Sequence, residues 1–153
     1  MEQQFTAADW RTLRTAPLWV LSAIVGRQSR FNPLELAAFW RSVDSAAAGA
    51  DGLANAVLVS FSDNFSGLLE DYEQDERSVV SGLWDVVAIL RRLDILVSVP
   101  FTAALLEVGE RVGRARGSFG QVISREDAQT LLLLAALLEI DSADGNVDRD
   151  AVA

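Results

Sequence analysis

Histidine, cysteine and lysine are all missing from this chain of 153 residues. Those three types supply most general bases, most thiol and amine nucleophiles, and the usual zinc ligands. Any chemistry must then rest on carboxylates, hydroxyls, amides, arginines and a single tyrosine, Tyr72. Without cysteine there is no disulfide framework and no thiol redox chemistry, which fits a reducing compartment. Long hydrophobic runs are scarce too: the longest, Leu131 to Leu138, is too short to cross a bilayer. The start, Met1-Glu2-Gln3-Gln4, is acidic, and no apolar signal-peptide core follows it directly. The expectation is a cytoplasmic protein with no membrane insertion.

What is present is a large apolar fraction. Half of the residues are hydrophobic, with four tryptophans and seven phenylalanines, enough for one well-buried domain. The tryptophans fall on apolar stripes and read as core. A net charge of −9 speaks against nucleic-acid binding through a basic surface. The two signs are segregated, however. Arginines gather at Arg11, Arg14, Arg27, Arg30 and Arg41, and again at Arg111, Arg114 and Arg116. Acids crowd from Glu70 to Glu76 and recur from Glu139 to Asp150. The glycine-bearing stretch Gly113 to Gly120 has neither a preceding strand nor a lysine, so it is no phosphate-binding P-loop. No carboxylate pair sits among aromatics as in a sugar-cleaving cleft. These features point away from an enzyme.

Helical periodicity runs nearly throughout. Thr6 with Asp9 makes a capping box for a short first helix, and Thr15-Ala16-Pro17 predicts a second helix beginning at the proline. That second helix is apolar on most faces and is expected at the centre. A third starts at Asn32-Pro33-Leu34-Glu35, with Leu36, Phe39, Trp40 and Val43 inward. After an expected loop from Ala46 to Gly52, a fourth carries the stripe Leu53, Val57, Leu58, Phe61, Phe65, Leu68, Leu69 and Tyr72. A fifth uses Val79, Leu83, Val86 and Leu90, widened by Trp84 and Val87. A sixth is marked by Pro100, with Phe101, Leu105, Val108 and Val112 inward. Glu107 and Glu110 stand four residues before Arg111 and Arg114, the favourable order for helical pairs. Ser124 caps the last helix with Asp127 reciprocating, and its all-round apolar stretch is expected to lie at the centre of the bundle. Val57 to Phe61 and Ile95 to Val99 could pass for strands but sit in helical context. The prediction is an all-α protein, a compact bundle of about seven helices.

Two loop-to-helix junctions echo one another: Gln28-Ser29-Arg30-Phe31-Asn32-Pro33-Leu34-Glu35 and Gly120-Gln121-Val122-Ile123-Ser124-Arg125-Glu126-Asp127. Each has an apolar residue before the cap and an acid three residues after it. Asp144-Gly145-Asn146-Val147-Asp148 begins the phrase a third time. The phrase resembles the repeated signature of the tellurite-resistance TerB-like family. The resemblance spans nearly the whole chain and implies a domain over residues 1–140 built of two diverged halves. It further implies a non-catalytic, stress-associated module whose acidic loops bind divalent metal. Where the family carries Asp-Gly, this chain has Gln28-Ser29 and Gly120-Gln121. Glu35 and Asp127 still align, and capping with Asn32 and Ser124 accounts for both.

Arginines flank both junctions: Arg27 and Arg30 at the first, Arg114, Arg116 and Arg125 at the second. Beside helix N-termini, which favour anions, they suggest that these loops attract an acidic protein partner or a phosphorylated ligand. The plainer reading pairs them with Glu107, Glu110 or Asp127. The acidic run Glu70 to Glu76 around Tyr72 is the other candidate docking patch for a partner. The alternative function is a calcium- or magnesium-binding protein using Glu70, Asp71 and Glu73, or Asp141, Asp144 and Asp148. An EF-hand does not fit the tail, because with Gly145 at its sixth position the first ligand becomes Ile140 and the twelfth Ala151. Residues 141–153 read as an acidic, frayed tail. Five acids from Glu70 to Glu76 at a helix C-terminus oppose the helix dipole, so some compensating partner is expected.

Overall fold

The computed structural model describes residues 5–26, 33–116 and 123–138, and every regular element among them is an α-helix. The helices are α1 (Ala7–Val25), α2 (Pro33–Ala48), α3 (Gly52–Asp63), α4 (Phe65–Gln74), α5 (Val79–Leu90), α6 (Ile95–Arg116) and α7 (Arg125–Leu138). The two segments that could pass for strands are helical, in α3 and α6. No helix among the described residues is long and apolar enough to cross a membrane.

α1 opens on the expected capping box. The Asp9 N–H donates to Thr6 Oγ1 at 3.0 Å, and the Thr6 N–H donates back to Asp9 Oδ2 at 3.2 Å. Pro17 does not restart the chain, contrary to the sequence expectation; it lies inside α1. A proline in a helix interior removes one backbone bond and costs about 3 kcal/mol. Against that, Leu18, Trp19, Val20 and Leu21 are completely buried. Each such side chain contributes roughly 1.5–3 kcal/mol, so burial of the run outweighs the proline. One turn before, Thr15 Oγ1 donates to the Arg11 carbonyl at 2.7 Å.

α1 is the central helix, packing on α3, α4, α5, α6 and α7. α5 comes closest, because Gly82 lies against the indole of Trp19. Trp19 in turn meets Tyr72 edge-on at 5.0 Å, and the Tyr72 hydroxyl hydrogen-bonds the buried Ser22 hydroxyl. A second cluster joins α2, α3 and α4, with Phe61 edge-on to both Phe39 and Phe65 at 5.5 Å.

The single helix expected from Leu53 to Tyr72 is two helices broken at Asn64. Asn64 Nδ2 donates to the Ser60 carbonyl at 2.8 Å, while its own N–H bonds the carbonyls of Ser60 and Phe61. A short amide competing for backbone acceptors is the usual reason for such a break. α2 runs on to Ala48 through the start of the expected loop, because Ala46 and Ala47 are buried. α6 begins five residues before Pro100. Asp94 caps it, accepting from the Leu96 N–H at 2.8 Å, a start signal that Pro100 overshadows in the sequence.

α7 is not at the centre. Leu134 and Leu138 are buried against its neighbours, yet Leu132 and Leu133 are each 71% exposed. An all-round apolar composition therefore misplaced this helix, since the centre is already taken by α1. Trp40 and Trp84 are likewise half exposed rather than core, and the Arg91 guanidinium lies 6.0 Å over the Trp84 ring.

Candidate interaction surface

α2 and α6 form the most extensive helix pair of the bundle, and their packing joins the two arginine-rich stretches of the chain. Arg41, Ser42 and Ser45 from α2 face Arg111, Arg114 and Ala115 from α6 across a groove of about 360 Å³. On α2, Ala38, Ser42 and Ser45 follow at four- and three-residue steps, so they share the face that borders this groove. Buried Ser42 donates its hydroxyl to the Ala38 carbonyl at 2.7 Å, a local bond that keeps the polar group satisfied.

The α6 arginines pair along their own helix, as the four-residue spacing predicts. Arg111 Nε donates to Glu107 Oε2 at 3.1 Å, and Arg114 Nη2 donates to Glu110 Oε1 at 2.7 Å. All four side chains are about half exposed, so these pairs contribute at most a few tenths of a kcal/mol each. Their main effect is to hold the guanidinium groups extended, with several of the five N–H donors of each left for an incoming acceptor. Arg41 makes no ion pair among the described residues. Three cations thus meet two glutamates, a local excess of positive charge on a chain of net charge −9.

Of the arginines singled out by sequence, Arg114 lies in this groove. Arg125 is exposed at the first position of α7, and Arg116 is the last residue of α6. Arg27, Arg30 and Asn32 lie outside the described residues, as do Asp141, Asp144 and Asp148. At the second junction the cap is present: the Asp127 N–H donates to Ser124 Oγ at 3.1 Å, and Asp127 is buried. Glu35 occupies the first turn of α2, half-buried. Glu70, Asp71 and Glu73 project from α4 into solvent, and no three carboxylates among the described residues converge on a position for a metal ion.

Arg77 compensates part of the acidic run. It reaches Asp75 at 2.5 Å and Asp85 at 2.6 Å, and its guanidinium lies 5.3 Å from the centre of the Trp19 ring. The hydrogen bond to Asp75, with a further one to Asp85, holds its pKa above the ordinary arginine value. This clamp ties the segment between α4 and α5 to the core; of the five acids it neutralises Asp75, while Glu70, Asp71, Glu73 and Glu76 are exposed to solvent.

Arg41 and Arg111 join the site only through tertiary packing. The signal for Arg111 in the sequence was the spacing of α6, where Glu107, Arg111 and Arg114 follow at helical steps, and that for Arg41 was its place in the arginine-rich stretch from Arg11. Compared with protein-family models, curated proteins and solved structures, the chain matches none of them.

Proposed function

We propose that this protein is a cytoplasmic, non-enzymatic interaction module that binds an acidic segment of a partner protein in the α2–α6 groove. The carrying observation is the convergence of Arg41, Arg111 and Arg114 on one groove. Guanidinium groups favour carboxylates because their paired donors match two acceptor oxygens. A stress-associated role of the TerB-like kind is in keeping with this reading and rests on the junction phrases alone.

The test uses a fluorescent hexaglutamate peptide and its anisotropy. Wild type is expected to bind it, with affinity falling as salt rises. Arg41→Glu combined with Arg114→Glu should weaken binding by about tenfold or more, a loss of roughly 1.4 kcal/mol. Equal binding by wild type and the double variant refutes the proposal. Both positions are exposed, so circular dichroism of the variant should be unchanged.

A further inference from the structure

A second groove, of about 500 Å³, lies on the same side of the α2–α6 pair. It is formed by Ala46 at the end of α2, the turn through Gly49, Leu53 at the start of α3, and the first half of α6. Its lining is mostly apolar, and among the described residues the only charged side chains in it are Asp51 and Glu107. At its edge Leu96 is 81% exposed, with Ile95 and Val99 about half exposed beside it. Apolar side chains of this size, grouped on one helical turn beside a groove, mark an interaction site.

The two grooves are parts of one track. Leu96, Pro100, Ala103, Glu107, Arg111 and Arg114 follow along α6 at three- and four-residue steps, so they form one ridge. On the facing side, Ala38, Ser42, Ser45 and Gly49 do the same. The apolar end and the arginine end meet at the Glu107–Arg111 ion pair. From Ala103 to Arg114 the helix rises about 16 Å, the reach of roughly five extended residues.

Resting on the reading of the arginine groove as an acid-binding site, we infer that the track binds one peptide segment with a fixed polarity. An apolar anchor fills the groove beside Ala103, and acidic side chains about five residues away lie among Arg41, Arg111 and Arg114. Charge sets the direction. Asp51 and Glu107 repel an acidic stretch from the apolar end, and no arginine among the described residues lines that end.

The experiment compares two labelled peptides on the full chain. One carries two leucines, a four-glycine spacer and four glutamates; the other has serines in place of the leucines. Wild type should bind the leucine peptide about tenfold more tightly. Leu96→Ser with Ala103→Gln, both at exposed positions, should abolish that preference and leave the serine peptide's affinity unchanged. A leucine peptide without the spacer should lose the preference on wild type itself, a readout that needs no variant. Equal affinity of wild type for the leucine and serine peptides overturns the track while the arginine groove stands. Failure of both peptides to bind overturns both readings.

Discussion

Adding a single methyl group at Gly82 should destabilise the protein, although alanine is the better helix former. In an open helix the exchange of glycine for alanine gains about 0.5–1 kcal/mol. At Gly82 the new Cβ would lie 2.6 Å from Cζ2 of Trp19 and nearer still to Cδ2 and Cε2. The ring cannot swing aside easily: Trp19 is completely buried, with Tyr72 on its edge and Arg77 over its face. α5 must therefore back away from α1 or the indole must leave its rotamer. Overpacking of that kind costs roughly 1–3 kcal/mol and here exceeds the propensity gain. For a chain of this size each kcal/mol moves the melting temperature by about 2–4 °C. Gly82→Ala should lower it by several degrees. Gly67 is the control, since a Cβ there meets nothing within 4 Å. Gly67→Ala should raise the melting temperature slightly. The cost at Gly82 should also shrink when Trp19→Leu removes the opposing ring, as a double-mutant cycle would show. Parallel stabilisation at both glycines would refute the close approach of α1 and α5.

Loss of the α1 cap in Thr6→Ala should cost about 1 kcal/mol, read by urea unfolding. Asp9 is held below its ordinary pKa, first by the hydrogen bond from Arg92 and then by the Thr6 N–H. Its contribution is therefore present above the unfolded carboxylate value, near 4, and is lost as pH falls through the depressed value. Arg92→Gln should flatten that acid limb in unfolding curves taken from pH 6 down to pH 2, and an unchanged slope would discount the pair. On α7, Leu134→Ala should cost roughly 2–5 kcal/mol, whereas Leu133→Gln should stay within about 0.5 kcal/mol; similar losses would return this helix to the centre. Tyr72→Phe should cost about 1–3 kcal/mol in thermal melts, because it strips the buried Ser22 hydroxyl of a partner, and no loss would argue against that bond.

The all-α class was legible because three- and four-residue spacing is a property of each segment alone. The stripes Phe101-Leu105-Val108-Val112 and Leu83-Val86-Leu90 are buried as their spacing predicts. Helix boundaries failed where a tertiary or side-chain effect outweighed a local signal. Pro17 is a strong stop in isolation, yet the burial of its neighbours overrides it. Asn64 is unremarkable in a list of residues, and only its bond to the Ser60 carbonyl reveals the break. In Leu131 to Leu138 every position is apolar, so no pattern distinguishes a face turned inward from one turned to solvent. For the candidate site, charge segregation drew attention to Arg114 and to the cluster containing Arg41. What joins them is the pairing of α2 with α6, and sequence spacing within either helix carries no information about its neighbour.

The position of α1 bears on how the chain must be made. Of the described helices α1 is made before the five it packs against, and its best-matched neighbour, α5, comes much later. Until α5 and α6 emerge, the run from Leu18 to Leu21 has only the partial cover of α3 and α4. Its apolar surface is then available to other nascent chains or to a holding chaperone. Assembly is thus governed by contacts far apart along the polypeptide, which slows folding relative to a bundle of sequential hairpins. A fragment ending before α5 should collect as aggregate, and the last helices complete the shelter of the first.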